Sequence, residues 1–85
     1  MKAVVTVTLK TGVLDPQGKA IQGALASLGF EGVESVRQGK IFEIETAETD
    51  PAKAAAALKE MAEKLLANMV IENFRVELVQ TPENS

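Results

Sequence analysis

Eighty-five residues make one small domain, 1–85, and a chain of this size buries only roughly 60% of the surface its unfolded form exposes, so association is a common remedy. Apolar residues at 46% suffice for one core, while a net charge of −3 argues against a phosphate-backbone binder, so no nucleic-acid partner is expected. The chain holds neither cysteine nor histidine, which excludes disulfides, thiolate metal sites, a cysteine nucleophile and the commonest general base together.

Residues 2–10 alternate, with Ala3, Val5, Val7 and Leu9 on one side and Val4, Thr6 and Thr8 on the other. Period two with β-branched residues predicts a half-buried strand. Gly12 suits the positive φ that a chain leaving a strand often needs. Asp15 then offers an N-cap carboxylate and Pro16 a first helical residue, where the missing N–H costs nothing. Ile21, Ala24, Leu25 and Leu28 follow at helical spacing on one stripe. Gly29 stands where a left-handed C-terminal cap is expected, with Phe30 able to fold back on the last turn.

A second strand is predicted over 33–38 and a third over 40–46, joined at Gly39 as a hairpin turn of positive φ. In the third, Phe42 and Ile44 point inward and Ile41, Glu43 and Glu45 outward. A second Asp-Pro, Asp50-Pro51, opens another helix with Ala54, Leu58, Met61 and Leu65 on its stripe, flanked by Ala55, Ala62 and Leu66. Lys53, Lys59, Glu60, Glu63 and Lys64 take the wet face, and Asn68 is placed to end the helix. A last strand over 74–80 buries Phe74, Val76 and Leu78, and 81–85 reads as a frayed tail. No apolar run approaches the ~18–20 residues of a membrane span, and the N-terminus enters a strand rather than a signal peptide, so a cytoplasmic protein with no membrane partner is expected.

The order β-α-β-β-α-β predicts an α+β two-layer sandwich resembling the ferredoxin-like class. Its mostly antiparallel four-stranded sheet would carry two helices on one face. Strand order cannot be read from the pattern, and a swapped dimer would leave the same one. The other face carries Val4, Thr6, Thr8, Ile41, Glu43, Glu45, Arg75, Glu77 and Val79, a mixture that suits contact with a partner.

Chemistry-bearing patterns are few. Glu43 and Glu45 lie one pleat apart and, like Asp15, read more simply as solvated or capping acids than as a catalytic pair. The glycine, lysine and helix N-terminus of residues 8–18 are materials for holding phosphate. Their spacing is not that of a P-loop, however, Lys10 precedes the turn, and Asp15 already occupies the helix end. Arg37-Gln38-Gly39-Lys40 reads as a charged turn that keeps strand edges apart, and the alanines from Ala54 to Ala57 as helix propensity with close packing. No catalytic, cofactor-binding or metal-binding residue is expected on this chain, which should work by association.

The string Thr8-Leu9-Lys10-Thr11-Gly12-Val13-Leu14-Asp15-Pro16-Gln17-Gly18 resembles the signature of the PurS family, the small subunits of phosphoribosylformylglycinamidine synthase. So do Gly23-Ala24-Leu25 with Leu28-Gly29, Val36-Arg37-Gln38-Gly39-Lys40, and Glu63-Lys64-Leu65-Leu66-Ala67-Asn68 with Val70-Ile71-Glu72. Thr11 stands where the family usually has Pro, Met69 where Pro often follows Asn68, and Ala62 where Cys is frequent. The resemblance implies a place in de novo purine synthesis, at the conversion of formylglycinamide ribonucleotide to formylglycinamidine ribonucleotide. There a glutaminase subunit releases ammonia through a cysteine nucleophile, and a large synthetase subunit uses ATP and Mg²⁺ to activate the amide. The PurS-like subunit, a dimer or tetramer, bridges the two.

On that resemblance Lys10, Thr11, Gly12, Asp15, Gln17 and Gly18 form one candidate contact patch, and Arg37, Gly39 and Lys40 a second. A helix cap stands beside contact as the role of Asp15. A charge-assisted bond to a partner carboxylate is the expected contribution of Arg37. Two other classes share the element order. A regulatory domain of the ACT kind would bind a small molecule and melt higher with it. An RNA-binding domain of the RRM kind would need stacking aromatics and a basic surface, whereas the middle strands here offer only Phe42.

Overall fold

In the computed structural model of the chain, which describes residues 1–79, alternation of β-branched residues builds the central strand. β1 (Lys2–Leu9) lies between β2 (Gly39–Glu45) and β3 (Glu72–Val79) and is antiparallel to both. Across the three strands Ala3 sits opposite Ile44 and Leu78, and Val5 opposite Phe42 and Val76. Val7 sits opposite Lys40 and Phe74. These residues share one face, where Ala3, Val5 and Val7 are fully buried. The opposite face carries the predicted mixture, with Val4 between Glu43 and Glu77 and Thr6 between Ile41 and Arg75.

α2 (Pro51–Met61) begins at an Asp50 cap, whose carboxylate accepts from the Ala52 N–H at 2.9 Å. It covers the inner face through Ala54 and Leu58 and runs straight into a π-helical turn, Ala62–Leu66, closed by the Ala67 N–H donating to Ala62 O at 2.9 Å. The buried stripe departs from the predicted one already before this turn, where Met61 is exposed and Ala62 takes the inward place. Ala62 and Leu66 continue inward at intervals of four, and Leu65 swings out to 82% exposure.

α1 (Pro16–Ser27) is built as its sequence dictates. Asp15 Oδ1 accepts from the Gly18 N–H at 2.8 Å. At the other end Gly29 takes φ 92°, Phe30 N–H donates to Leu25 O, and Gly29 N–H donates to Ala26 O. Yet α1 packs on neither the sheet nor α2, and Gly18 is its one buried residue. The radius of gyration is 16.5 Å, where a chain of this length closed on itself would give ~12 Å. The extents are 48 × 35 × 14 Å.

Two corrections to the sequence reading follow. The sheet has three strands among the described residues, because 33–38 lies against α1 and joins no strand. One helix covers the inner face, since α1 projects beyond the end of the sheet where β1 finishes and β2 begins. Gly39 is accordingly not a turn of positive φ. It opens β2 directly, and a Cβ there would lie 2.7 Å from Val7 O, so close strand approach is what requires glycine. Gln80 and the tail expected at 81–85 lie outside the described residues. No helix among the described residues is long and apolar enough to cross a membrane.

Candidate functional site

The two patches picked out in the sequence meet at one place, the junction between the sheet and the α1 arm. Asp15 is its centre. Its Oδ1 caps α1 through Gly18 and its Oδ2 accepts from the Gln38 N–H at 2.7 Å, so one carboxylate ties the start of α1 to the start of β2. These two backbone donors, first Gln38 and then Gly18, hold the Asp15 carboxyl below its ordinary range, helped by the positive charge of Arg37. Gly18 has no room for a side chain. A Cβ would collide with the Val36 carbonyl and press on Asp15, which explains a glycine in the first turn of a helix.

Arg37 is exposed and bends back over its own chain. Its Nη2 lies 3.3 Å from Lys10 O, 3.4 Å from Val13 O and 3.5 Å from Leu9 O, a cup of carbonyls at the end of β1. Gly12, at φ 89°, makes the turn that forms this cup, with the Val13 N–H donating back to Lys10 O. Lys10 extends the ladder by one rung, its N–H donating to Ile71 O at 2.8 Å. Thr11 and Gly12 are exposed at the turn.

Gln17, Gly39 and Lys40 face a cavity of about 270 Å³ that Asp15, Gln38, Val7, Leu9 and Glu72 also line. Lys40 Nζ is 3.5 Å from Glu72 Oε2. The other oxygen of Glu72 accepts from the Asn68 N–H at 2.7 Å, so this mostly covered acid joins β2 to the turn before β3. Sequence reasoning did not single out Glu72 or Gln38, although both stood inside the matching strings. Glu72 opens β3 opposite Leu9, and Lys40 reaches it from β2 on the far side of β1, a pairing that no local pattern in the sequence announces. Among the described residues no group of three acids is placed to hold a metal ion. The junction offers backbone carbonyls, one ion pair and a tightly held carboxylate, chemistry suited to holding chain segments in place.

The family model for PurS, phosphoribosylformylglycinamidine synthase, matches residues 2–80. The chain is 49% identical over 77 residues to phosphoribosylformylglycinamidine synthase subunit PurS of Bacillus subtilis, covering 91% of this chain and 90% of that one. It is 49% identical over 75 residues to the Mycobacterium leprae subunit of the same name, covering 88% and 91%. Among solved structures, Methanocaldococcus jannaschii PurS superposes with a TM-score of 0.86 at 40% identity, covering 95% of this chain and 98% of that one. A chain of the PurLQS structure from Thermotoga maritima superposes at 0.82 with 30% identity, covering 89% and 93%.

Proposed function

Since the chain belongs to the PurS family, we propose that it is the piece through which the other two subunits of phosphoribosylformylglycinamidine synthase are held together. It is a subunit of that synthase, a ligase of purine biosynthesis. In this reading a glutaminase subunit frees ammonia from glutamine. A large synthetase subunit spends ATP, with Mg²⁺, to activate formylglycinamide ribonucleotide for attack by that ammonia. This chain bridges the two as a homo-oligomer in the cytoplasm and contributes no catalytic or cofactor-binding residue.

The observation that carries the reading is the family match over residues 2–80, nearly the whole chain. Two features support the division of labour. A chain without cysteine or histidine has neither the thiol nor the imidazole that a glutaminase needs, so that chemistry falls to other chains. The likeness to a chain of the T. maritima PurLQS structure, over 89% of this chain, supports a place among other subunits. The junction of Asp15, Arg37 and Lys40 then acts by holding a rigid surface for partners. Mixing the chain with the glutaminase and synthetase subunits should restore glutamine-dependent amide transfer that the two lack without it. Equal activity with and without the chain would end the reading.

A further inference from the structure

The apolar pattern of 33–38 and 40–46 predicts a hairpin, yet 33–38 joins no strand among the described residues. A two-residue turn at Gln38-Gly39 would set Arg37 opposite Lys40, Val36 opposite Ile41, Ser35 opposite Phe42, Glu34 opposite Glu43 and Val33 opposite Ile44. The first and fourth of these pairs carry like charges, and they fall on different faces of the sheet. Arg37 would join Lys40 in the inner row that continues through Val7 to Phe74. Glu34 would extend the outer row in which Val4 already lies between Glu43 and Glu77. Like charges directly opposite each other weaken a strand pair. The turn is unfavourable too, since it asks for positive φ at Gln38, and among the described residues glycines alone take positive φ.

With the hairpin open, both cations have partners of opposite polarity. Arg37 Nη2 lies on the carbonyls of Lys10 and Val13 at 3.3 and 3.4 Å, and Lys40 Nζ is 3.5 Å from Glu72 Oε2. The two acids stand exposed, Glu34 on the arm and Glu43 on the sheet. We infer that the charges at 34, 37, 40 and 43 are a conformational lock within the single chain. By repelling across both faces of the hairpin they exclude a closed form in which 33–38 lies on its own β2 and α1 comes over the inner face.

A few charges can set the place of a whole helix because α1 is fastened to 33–38. The Gln22 side chain donates to Glu34 O at 3.2 Å, and Gly18 fits against the Val36 carbonyl with no room for a Cβ. Helix and segment therefore move as one unit about Gln38-Gly39. Closed, the chain would be the four-stranded sandwich with two helices on one face that its element order predicts. Its radius of gyration would fall from 16.5 Å toward the ~12 Å of a chain closed on itself. The apolar alternation and the helix caps suit the closed and open forms equally, and the like-charge pairs tell them apart.

The absence of cysteine lets closure be read as a disulfide. Val36→Cys and Ile41→Cys are combined in one chain. In the closed hairpin these positions form a non-hydrogen-bonded pair, with Cα atoms ~4.5 Å apart, a separation that a disulfide spans. The equilibrium between the dithiol and the disulfide within one chain is measured against glutathione, with disulfides between chains distinguished by mass. Glu34→Lys and Glu43→Lys, each alone, should raise the intrachain constant roughly three- to tenfold. The two together restore repulsion and should return it to the parent value. Lys40→Gln should raise it as well. Glu72→Gln, which breaks the same ion pair without relieving the repulsion between 37 and 40, should not. An unchanged constant in either single lysine variant, or a double variant that stays high, overturns the role of 34 and 43. Lys40→Gln no higher than Glu72→Gln overturns that of 37 and 40.

Discussion

The sheet with α2 and the arm with α1 are built from similar residues, yet only the first completes itself. In the sheet half, Val5, Val7 and Leu58 are fully buried, and Phe42, Leu66, Phe74 and Val76 pack around the cluster that Val5 and Val7 form with Ala62 and Ala67. In the arm, a helix with good caps at both ends buries one glycine. The difference teaches that capping and periodicity make a helix, whereas burial needs an opposing surface, and among the described residues the arm has none. The sheet half draws its stability from burial, and the arm from polar ties at a single junction.

The comparison breaks most severely at the core. Leu58→Ala should cost ~2–5 kcal/mol, read as a lower midpoint in urea unfolding, because the side chain is wholly enclosed. A cost below that range would mean the sheet half is no better packed than the arm. Gly18→Ala should cost ~1–3 kcal/mol by forcing α1 away from the Val36 carbonyl. Its effect should fall first on amide exchange in 33–38 rather than in β1.

Gly23→Ala sharpens the contrast within the same helix. Nothing lies within 4 Å of a Cβ there, so the substitution should stabilise α1 by ~0.4–1 kcal/mol, read in melting temperature. The smallest expected effect is one of pH. The Asp15 carboxyl is held below its ordinary 3.8 by the Gln38 and Gly18 N–H groups. Its contribution is therefore complete above the ordinary value and disappears as pH falls through the lowered one. Amide exchange at Gln38 should quicken across that acid window, and Asp15→Asn should abolish the dependence.

Much of the candidate site was legible because its residues act locally. Asp15 with Pro16, Gly12 and Gly29 have positions that follow from helix and turn geometry alone, and the structure places them as expected. The role of Arg37 was not legible. Its carbonyl partners lie 24 to 28 residues away, and no local rule sets a charged side chain on backbone oxygens that distant in the chain. Met61 and Leu65 misled because the inward line runs through Ala54, Leu58, Ala62 and Leu66 at intervals of four, and only the sheet beneath decides which of two neighbouring lines is buried.

By itself the sequence determined the two Asp-Pro helix starts, the alternating strands, the inward set of Val5, Val7, Phe42 and Val76, and the exclusion of thiol and imidazole chemistry. Each depends on near neighbours or on composition. The tertiary structure alone decided that 33–38 leaves its hairpin and that α1 stands off the sheet. A closed and an opened hairpin share the same residues, period and local preferences. They differ in the backbone at Gln38-Gly39, where distant ties at Asp15 and Arg37 hold the segment beside α1 instead of β2.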